Sequence, residues 1–351
     1  MSTTVMTPSL YAADYSPAPA PEILTRPEVG FCSARGAFVL VDKPLGLTSQ
    51  AVVSRLRRVL GIRKIGHAGT LDPAASGMLI VGVGRATRLL TYIQGADKTY
   101  RARVRFGMET TSEDADGDVI ARRGATLEQV VDTLPATLKK WTGEVRQRPS
   151  SVSAIKVDGE RAYARVRAGL EVTLQERPVR IDRIDLVGAP RAGEAGGVGV
   201  VDVDIEVTCS SGTYIRALAR DLGNEIGCGA HLVALRRIAV GDLGVEDAWS
   251  LADVARLVSE EGAQNARCMR PTGEIVGHFL PTVALCDDEA APLAHGGRVR
   301  VAAPARGTSV GTNKDGRELV ALVDARAQVR AVAERAGRWW QPRVVVLSEG
   351  E

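Results

Sequence analysis

Between Thr99 and Gly107 the chain alternates without interruption. Tyr100, Ala102, Val104 and Phe106 fall on one side of an extended backbone, and Arg101, Arg103 and Arg105 fall on the other. A period of two residues is the signature of a strand with one apolar and one polar face. Val201, Val203, Ile205 and Val207 repeat the pattern a hundred residues later. At least one sheet covered on a single side is therefore required, which excludes an all-helical bundle. Further apolar runs predict strands over 37–42, 77–84, 179–188 and 232–240. A Gly196-Gly197 turn predicts a hairpin joining 179–188 to 200–208.

Helical periodicity appears between these runs. Val52, Leu56 and Leu60 recur every four residues after Thr48, a suitable N-cap, and Gly61 supplies the stop. Residues 126–140 and 250–258 read as helices, and Thr213 is placed to cap another that runs to about Ile226. The order of elements lacks a regular βαβ repeat. The expected class is α+β, a mixed central sheet with flanking helices. A composition shift near residue 262 and prolines between 271 and 281 predict a boundary, giving a domain over 35–262 and a small β-rich module over 263–351.

Composition narrows the function classes. With 45% hydrophobic and 25% charged residues, the chain reads as an ordinary globular protein, with no apolar run near the ~20 residues that span a bilayer. Residues 1–34 carry Pro8, Pro17, Pro19, Pro21 and Pro27 and read as a disordered tail without signal-peptide features, so a cytoplasmic location is expected. Five widely spaced cysteines include no CxxC pair, which argues against a disulfide framework and a metal site, including one built on Cys209, Cys228 and His231. Gly82-Val83-Gly84 imitates a dinucleotide loop but lacks its third glycine, so no nucleotide cofactor is expected.

Net charge is only +3, but it is unevenly spread. Arg55, Arg57, Arg58, Arg63 and Lys64 form an acid-free stretch, and Arg85, Arg88, Lys98, Arg101, Arg103 and Arg105 follow. A basic surface of this kind suits a polyanion such as a nucleic acid. Between the two stretches lies Gly66-His67-Ala68-Gly69-Thr70-Leu71-Asp72-Pro73, which holds one carboxylate between glycines and a stiffening proline, just ahead of an apolar run. An Asp in such a loop is commonly a turn residue; its alternative use is as a carboxylate presented to a ligand.

Further blocks decide between these uses. Lys43-Pro44-Leu45-Gly46-Leu47-Thr48-Ser49 precedes the Asp72 loop, and Asp97-Lys98-Thr99-Tyr100 follows it. Gln147-Arg148-Pro149 and Ser153-Ala154-Ile155-Lys156-Val157-Asp158-Gly159 come next. Then come Gly212-Thr213-Tyr214-Ile215-Arg216, Asp221-Leu222-Gly223, Gly229-Ala230-His231-Leu232 and Leu235-Arg236-Arg237. In this order, over about residues 37–245, the blocks closely resemble those of the TruB family of tRNA pseudouridine synthases. One departure is Ser150, where the family's second proline is usual.

The resemblance implies a pseudouridine synthase fold with an RNA cleft, a C-terminal module similar to PUA RNA-binding domains, and isomerisation of the T-loop uridine at tRNA position 55. It implies catalytic roles for Asp72 as nucleophile, Tyr100 as a platform for the target base and possible proton acceptor, and Arg216 as a guanidinium that keeps a carboxylate ionised. His67, Tyr100, Tyr214 and Leu235 would bind the extruded nucleotide, and Arg55, Arg58, Arg63, Lys64 and Arg236 would meet the RNA backbone. No cofactor or metal is implied. The expected partner is a tRNA T-stem-loop, met by a monomer that needs no membrane and no other protein. Two rival readings are an RNA-binding or tRNA-folding protein with incidental catalysis and a guide-RNA-dependent synthase.

Overall fold

The computed structural model describes residues 36–153, 156–157, 160–161, 174–300, 311–312 and 316–346. The proline-rich tail over 1–34, with Cys32, lies outside these residues, as does part of the Ser153–Gly159 block. The chain divides into two compact units, Met1–Leu90 with Glu246–Glu351, and Thr91–Val245. The boundary expected at 262/263 falls inside the first of them. Among the described residues no helix is long and apolar enough to cross a membrane.

The first unit begins with β1 (Ala37–Lys43), α1 (Ser49–Leu60), β2 (Ile65–Ala68) and β3 (Ala75–Val83). Strand β3 is buried along its whole length and pairs antiparallel with both β1 and β2. Helix α1 starts where Thr48 Oγ1 accepts the Ala51 N–H at 2.9 Å and ends where Gly61 takes φ +67. It lays Val52, Val53, Leu56, Val59 and Leu60 against Val39, Val41, Leu79 and Val81 of the sheet. Burying aliphatic side chains of this size stabilises by about 1.5–3 kcal/mol each, so packing rather than helix propensity holds α1.

After the short α2 (Leu90–Gln94), the second unit runs through β4 (Lys98–Phe106), β5 (Met108–Thr110), β6 (Val119–Arg122), α3 (Leu127–Lys140), β7 (Gly143–Gln147), β8 (Lys156–Val157) and β9 (Glu160–Arg161). It continues with β10 (Arg177–Leu186), β11 (Arg191–Ala195), β12 (Val198–Cys209), α4 (Ile215–Ile226), β13 (Ala230–Val240) and β14 (Leu243–Gly244). The central ladder has the order β13-β4-β12-β10-β7, antiparallel at every step. The alternating segment, β4, lies between β13 and β12, with Ala102, Val104 and Phe106 almost fully buried.

Two local expectations change. Gly196 and Gly197, at φ +59 and +80, close a two-residue hairpin between β11 and the first half of β12, and β10 pairs the second half. Successive positive φ values match the twist of a tight hairpin, so the glycine pair selects the nearest extended segment. Thr213 is not the cap of α4: its hydroxyl donates to Ser210 O at 3.0 Å, and Tyr214 occupies the cap position without a side-chain bond.

The first unit resumes with α5 (Leu251–Glu261), α6 (Thr272–Val276), β15 (Thr282–Ala284), α7 (Asp287–Ala294), β16 (Gly311–Thr312), β17 (Glu318–Val323), β18 (Val329–Ala336) and β19 (Trp339–Val345). Strands β17, β18 and β19 form an antiparallel meander, with β15 added parallel to β17. Val320, Leu322, Ala331, Ala333 and Trp340 make its core. The protein is therefore α+β with a β-rich C-terminal segment.

Gly223 is the tightest point of the second unit. A Cβ there would lie 2.2 Å from Ala230 N and 2.4 Å from Gly229 C, because α4 rests directly on the start of β13. Backbone atoms cannot step aside as a flexible side chain can. Gly223→Ala is expected to destabilise at the upper end of the ~1–3 kcal/mol typical of overpacking. A thermal melt with Tm unchanged would show that α4 does not need this close approach.

Candidate active site

Asp72 follows β2 in a loop that is held from two sides. Its own C=O accepts the Ala75 N–H at 3.1 Å, and Gly46 N donates to Pro73 O at 2.8 Å. The Ser49 hydroxyl, 1% exposed, donates to Leu71 O at 3.1 Å and accepts Leu71 N at 2.9 Å. The residue before Asp72 is thus fixed through both of its backbone polar groups. Lys43 Nζ donates to Pro44 O at 2.9 Å and Leu47 O at 2.7 Å, which ties down the turn that carries Gly46 and Ser49. The block Lys43–Ser49 therefore acts as a brace for the Asp72 loop. Asp72 is half-buried, as is His67 on β2. Arg58, Arg63 and Lys64 are exposed and Arg55 is half-buried; Arg57 spends one guanidinium N–H on Ile65 O at 3.0 Å.

In the second unit, Arg216 lies in the first turn of α4 with only 5% exposure. Nη1 donates to Ser112 O at 2.9 Å and to Ser150 Oγ at 3.3 Å, and Nη2 donates to Val152 O at 2.8 Å. Asp114 Oδ2 stands 3.6 Å from Nη1. A buried guanidinium is tolerated only when its donors are met, and these acceptors serve its two terminal nitrogens with carbonyls, a hydroxyl and a nearby carboxylate. Ser150, the departure from the family pattern, contributes the hydroxyl. The start of α4 is held by Gln147, 1% exposed, whose amide accepts Tyr214 N at 2.8 Å and donates to Tyr214 O at 3.2 Å. The Arg177 guanidinium lies 5.0 Å from the centroid of the Tyr214 ring.

The β4–β13 ladder brings Tyr100 and Leu235 onto one face. Tyr100 is opposite Arg237 and Ala102 opposite Leu235, so the two side chains are diagonal neighbours. Tyr100 is 9% exposed and Leu235 is half-buried. Lys98, two residues before Tyr100, is buried and donates to Gln94 O at 2.8 Å and Ala96 O at 2.6 Å. Burial, with the Arg237 charge adding to it, pushes the Lys98 ammonium down to about 8.

Several charges expected to meet a polyanion have other partners. Arg101, Arg103 and Arg105 lie in register with Glu206, Asp204 and Asp202 of β12, at N···O distances of 3.1, 2.7 and 2.7 Å. The polar face of β4 is thus a ladder of ion pairs, and the even spacing of acids along β12 was the sequence signal for it. Arg237 is 1% exposed, on the face that carries Tyr100 and Leu235, whereas Arg236, half-buried, lies on the opposite face beside Arg101. His231 is also a packed residue, with Nδ1 3.0 Å from Met108 O, and burial lowers its pKa. Sequence reasoning missed the supporting roles of Ser49, Gln147, Ser150 and Asp114; Ser49 and Gln147 lay within the quoted blocks and Ser150 was noted as a departure from the family pattern, while Asp114 was not singled out.

Comparison with known proteins identifies the family. The family model described as TruB family pseudouridylate synthase (N terminal domain) matches residues 57–215. The model described as tRNA pseudouridylate synthase B C-terminal domain matches residues 216–277. The tRNA pseudouridine synthase B of Arthrobacter sp. (strain FB24) is 50% identical over 269 residues, covering 76% of this chain and 83% of the relative. Its counterpart in Mycobacterium leprae (strain TN) is 43% identical over 296 residues, covering 84% and 89%. Among solved structures, a Cbf5-Nop10-Gar1 complex matches with a TM-score of 0.65 and 26% identity, covering 92% of this chain and 91% of that one. The chain belongs to the TruB family of pseudouridylate synthases.

Proposed function

We propose that this protein isomerises uridine to pseudouridine in tRNA, at the T-loop position 55. The observation that carries the reading is the 50% identity to a tRNA pseudouridine synthase B over 83% of that enzyme's length, with the Asp72 loop and its brace intact. The reaction breaks the N1–C1′ bond of the uridine, turns the base, and forms a C5–C1′ bond. The proton lost from C5 is balanced by one gained at N1, so no atom is added and no electron donor is needed. Asp72 is the nucleophile on the extruded nucleotide, dividing one difficult step into easier ones. Arg216 supplies a buried, permanently charged guanidinium that favours the ionised state of a carboxylate. Tyr100 and Leu235 form the platform on which the uracil stacks, and Tyr214 and His67 line the rest of the binding site.

Extrusion of the base costs a few kcal/mol, offset by stacking of about 1–3 kcal/mol and by phosphate contacts. Arg55, Arg58, Arg63, Lys64 and Arg236 are the backbone contacts, and residues 263–351 act as a PUA-like RNA-binding module. The strand arginines 101, 103 and 105 are left out of this set because β12 already neutralises them. The enzyme works as a monomer on bare tRNA in the cytoplasm, without a protein partner. The tRNA reading is favoured over a guide-dependent one because relatives at 41–50% identity are named tRNA pseudouridine synthase B, while a structure of an H/ACA RNP bound to a substrate RNA stands at 25%.

Two substitutions test this reading. Asp72→Asn keeps the shape of the side chain and removes its charge. It is expected to abolish pseudouridine formation in an unmodified tRNA transcript while changing the tRNA Kd by less than about threefold, under 0.7 kcal/mol. Conversion at the wild-type rate would exclude Asp72 as nucleophile. Ser49→Ala strips Leu71 of partners for two backbone groups, so denaturant unfolding should show a loss of about 1–3 kcal/mol. The isomerisation rate should fall with tRNA affinity unchanged; a wild-type rate would mean that the brace does not position the Asp72 loop.

A further inference from the structure

Arg220 is one helical turn beyond Arg216 on α4, and an i, i+4 spacing puts both side chains on the same face of the helix. The two arginines hold the same pair of segments. Arg216 donates to Ser112 O in the loop after β5 and to Val152 O in the segment after β7. Arg220 pairs through Nη1 with Glu113 Oε1 in that loop and donates through Nη2 to Arg148 O, at 2.8 Å, in that segment. Its Nε donates to Asp221 Oδ1 at 2.8 Å, and burial raises the Asp221 carboxyl to about 6 even beside this guanidinium. The side chains of Arg220 and Glu113 are 22% and 12% exposed, so solvent screens the pair less than it would a surface one.

Glu113 has φ +62, a left-handed backbone that costs a non-glycine residue about 1–2 kcal/mol. The conformation needs support from outside the loop. Glu113 O accepts Leu232 N at 3.0 Å from β13, and the Glu113 side chain is held by Arg220. The flanking residues are the ones that face Arg216: Ser112 through its carbonyl and Asp114 through a carboxylate 3.6 Å away. A left-handed residue between them sets the direction in which both acceptors point.

We infer that the Glu113–Arg220 pair is a positioning device for the Arg216 guanidinium, acting through the loop 112–114 and the segment 148–152 that both arginines grip. The inference rests on the catalytic role proposed above for Arg216. Arg220 does not touch the reacting atoms in this account. It fixes where the Arg216 acceptors stand, and a small displacement of a catalytic group is costly to rate.

The test compares Glu113→Gln, Arg220→Met, their double variant and Arg220→Lys in the full chain, with Asp72→Asn in the same assay. Glu113→Gln is nearly isosteric and leaves a folded reference if Arg220→Met does not fold. Rates of pseudouridine formation on an unmodified tRNA transcript are measured with KM, tRNA Kd and Tm. The expected result is a fall in kcat of roughly 10- to 100-fold for each single variant, with KM and Kd within about twofold. The double variant should be no slower than the worse single, because the two residues act as one unit. Arg220→Lys, which keeps the charge facing Glu113 but not the planar fork, should recover part of the loss. The proposal is overturned if folded Glu113→Gln and Arg220→Met retain the wild-type kcat, or if the losses lie in KM. If those variants keep full activity while Asp72→Asn is inactive, only the positioning role fails. If the wild-type protein forms no pseudouridine, the functional reading fails and this inference goes with it.

Discussion

The buried guanidinium of Arg216 sets the conditions that the surrounding structure must meet. Removing an ionised group from water is expensive unless its donors are paired, and the cost of leaving one partner out is larger than the gain from making one good contact. At 5% exposure Arg216 therefore requires Ser112 O, Val152 O and Ser150 Oγ to stand where they do, with Asp114 close by. Those acceptors come from two segments far apart in sequence. Helix α4 brings the charge to them, and it is itself fixed at its start by Gln147 and pressed onto β13 at Gly223. The left-handed Glu113 and the second arginine, Arg220, belong to the same requirement.

The Asp72 loop answers a different problem, that of presenting a half-buried carboxylate without letting the loop wander. Ordinary turn chemistry leaves such a loop free to fray. Here Ser49, at the first position of α1, clamps both polar backbone groups of Leu71, and Gly46 holds Pro73. Helix α1 is in turn anchored by five aliphatic side chains packed on β1 and β3. The Asp72 loop is thus tied through Ser49 to a helix that is anchored in the hydrophobic core.

Much of the fold was legible because its signals are local and periodic. The alternation over 99–107, the four-residue repeat of α1 and its Thr48 and Gly61 ends all reflect geometry that a short segment specifies by itself. The Thr213 cap failed because the helix begins one residue later than expected: Tyr214 holds the cap position, and the Thr213 hydroxyl turns back to donate to Ser210 O in the preceding turn. The charge reading of β4 was incomplete for a related reason: a strand's polar face shows its own residues but not the strand that will lie beside it. Asp202, Asp204 and Glu206 become partners only once β12 is in register. Ser150 stood out only as a departure from the family pattern and Asp114 not at all, since nothing in their neighbourhood points to a guanidinium that is distant in sequence.

Pseudouridine and uridine have the same mass, so the direct measurement separates them by chromatography after digestion and maps the position in the RNA. The purified wild-type protein, alone with an unmodified tRNA transcript, should convert one uridine per molecule, in the T-loop, without metal, cofactor or guide RNA. Absence of conversion under these conditions, or conversion confined to another part of the tRNA, would contradict the account.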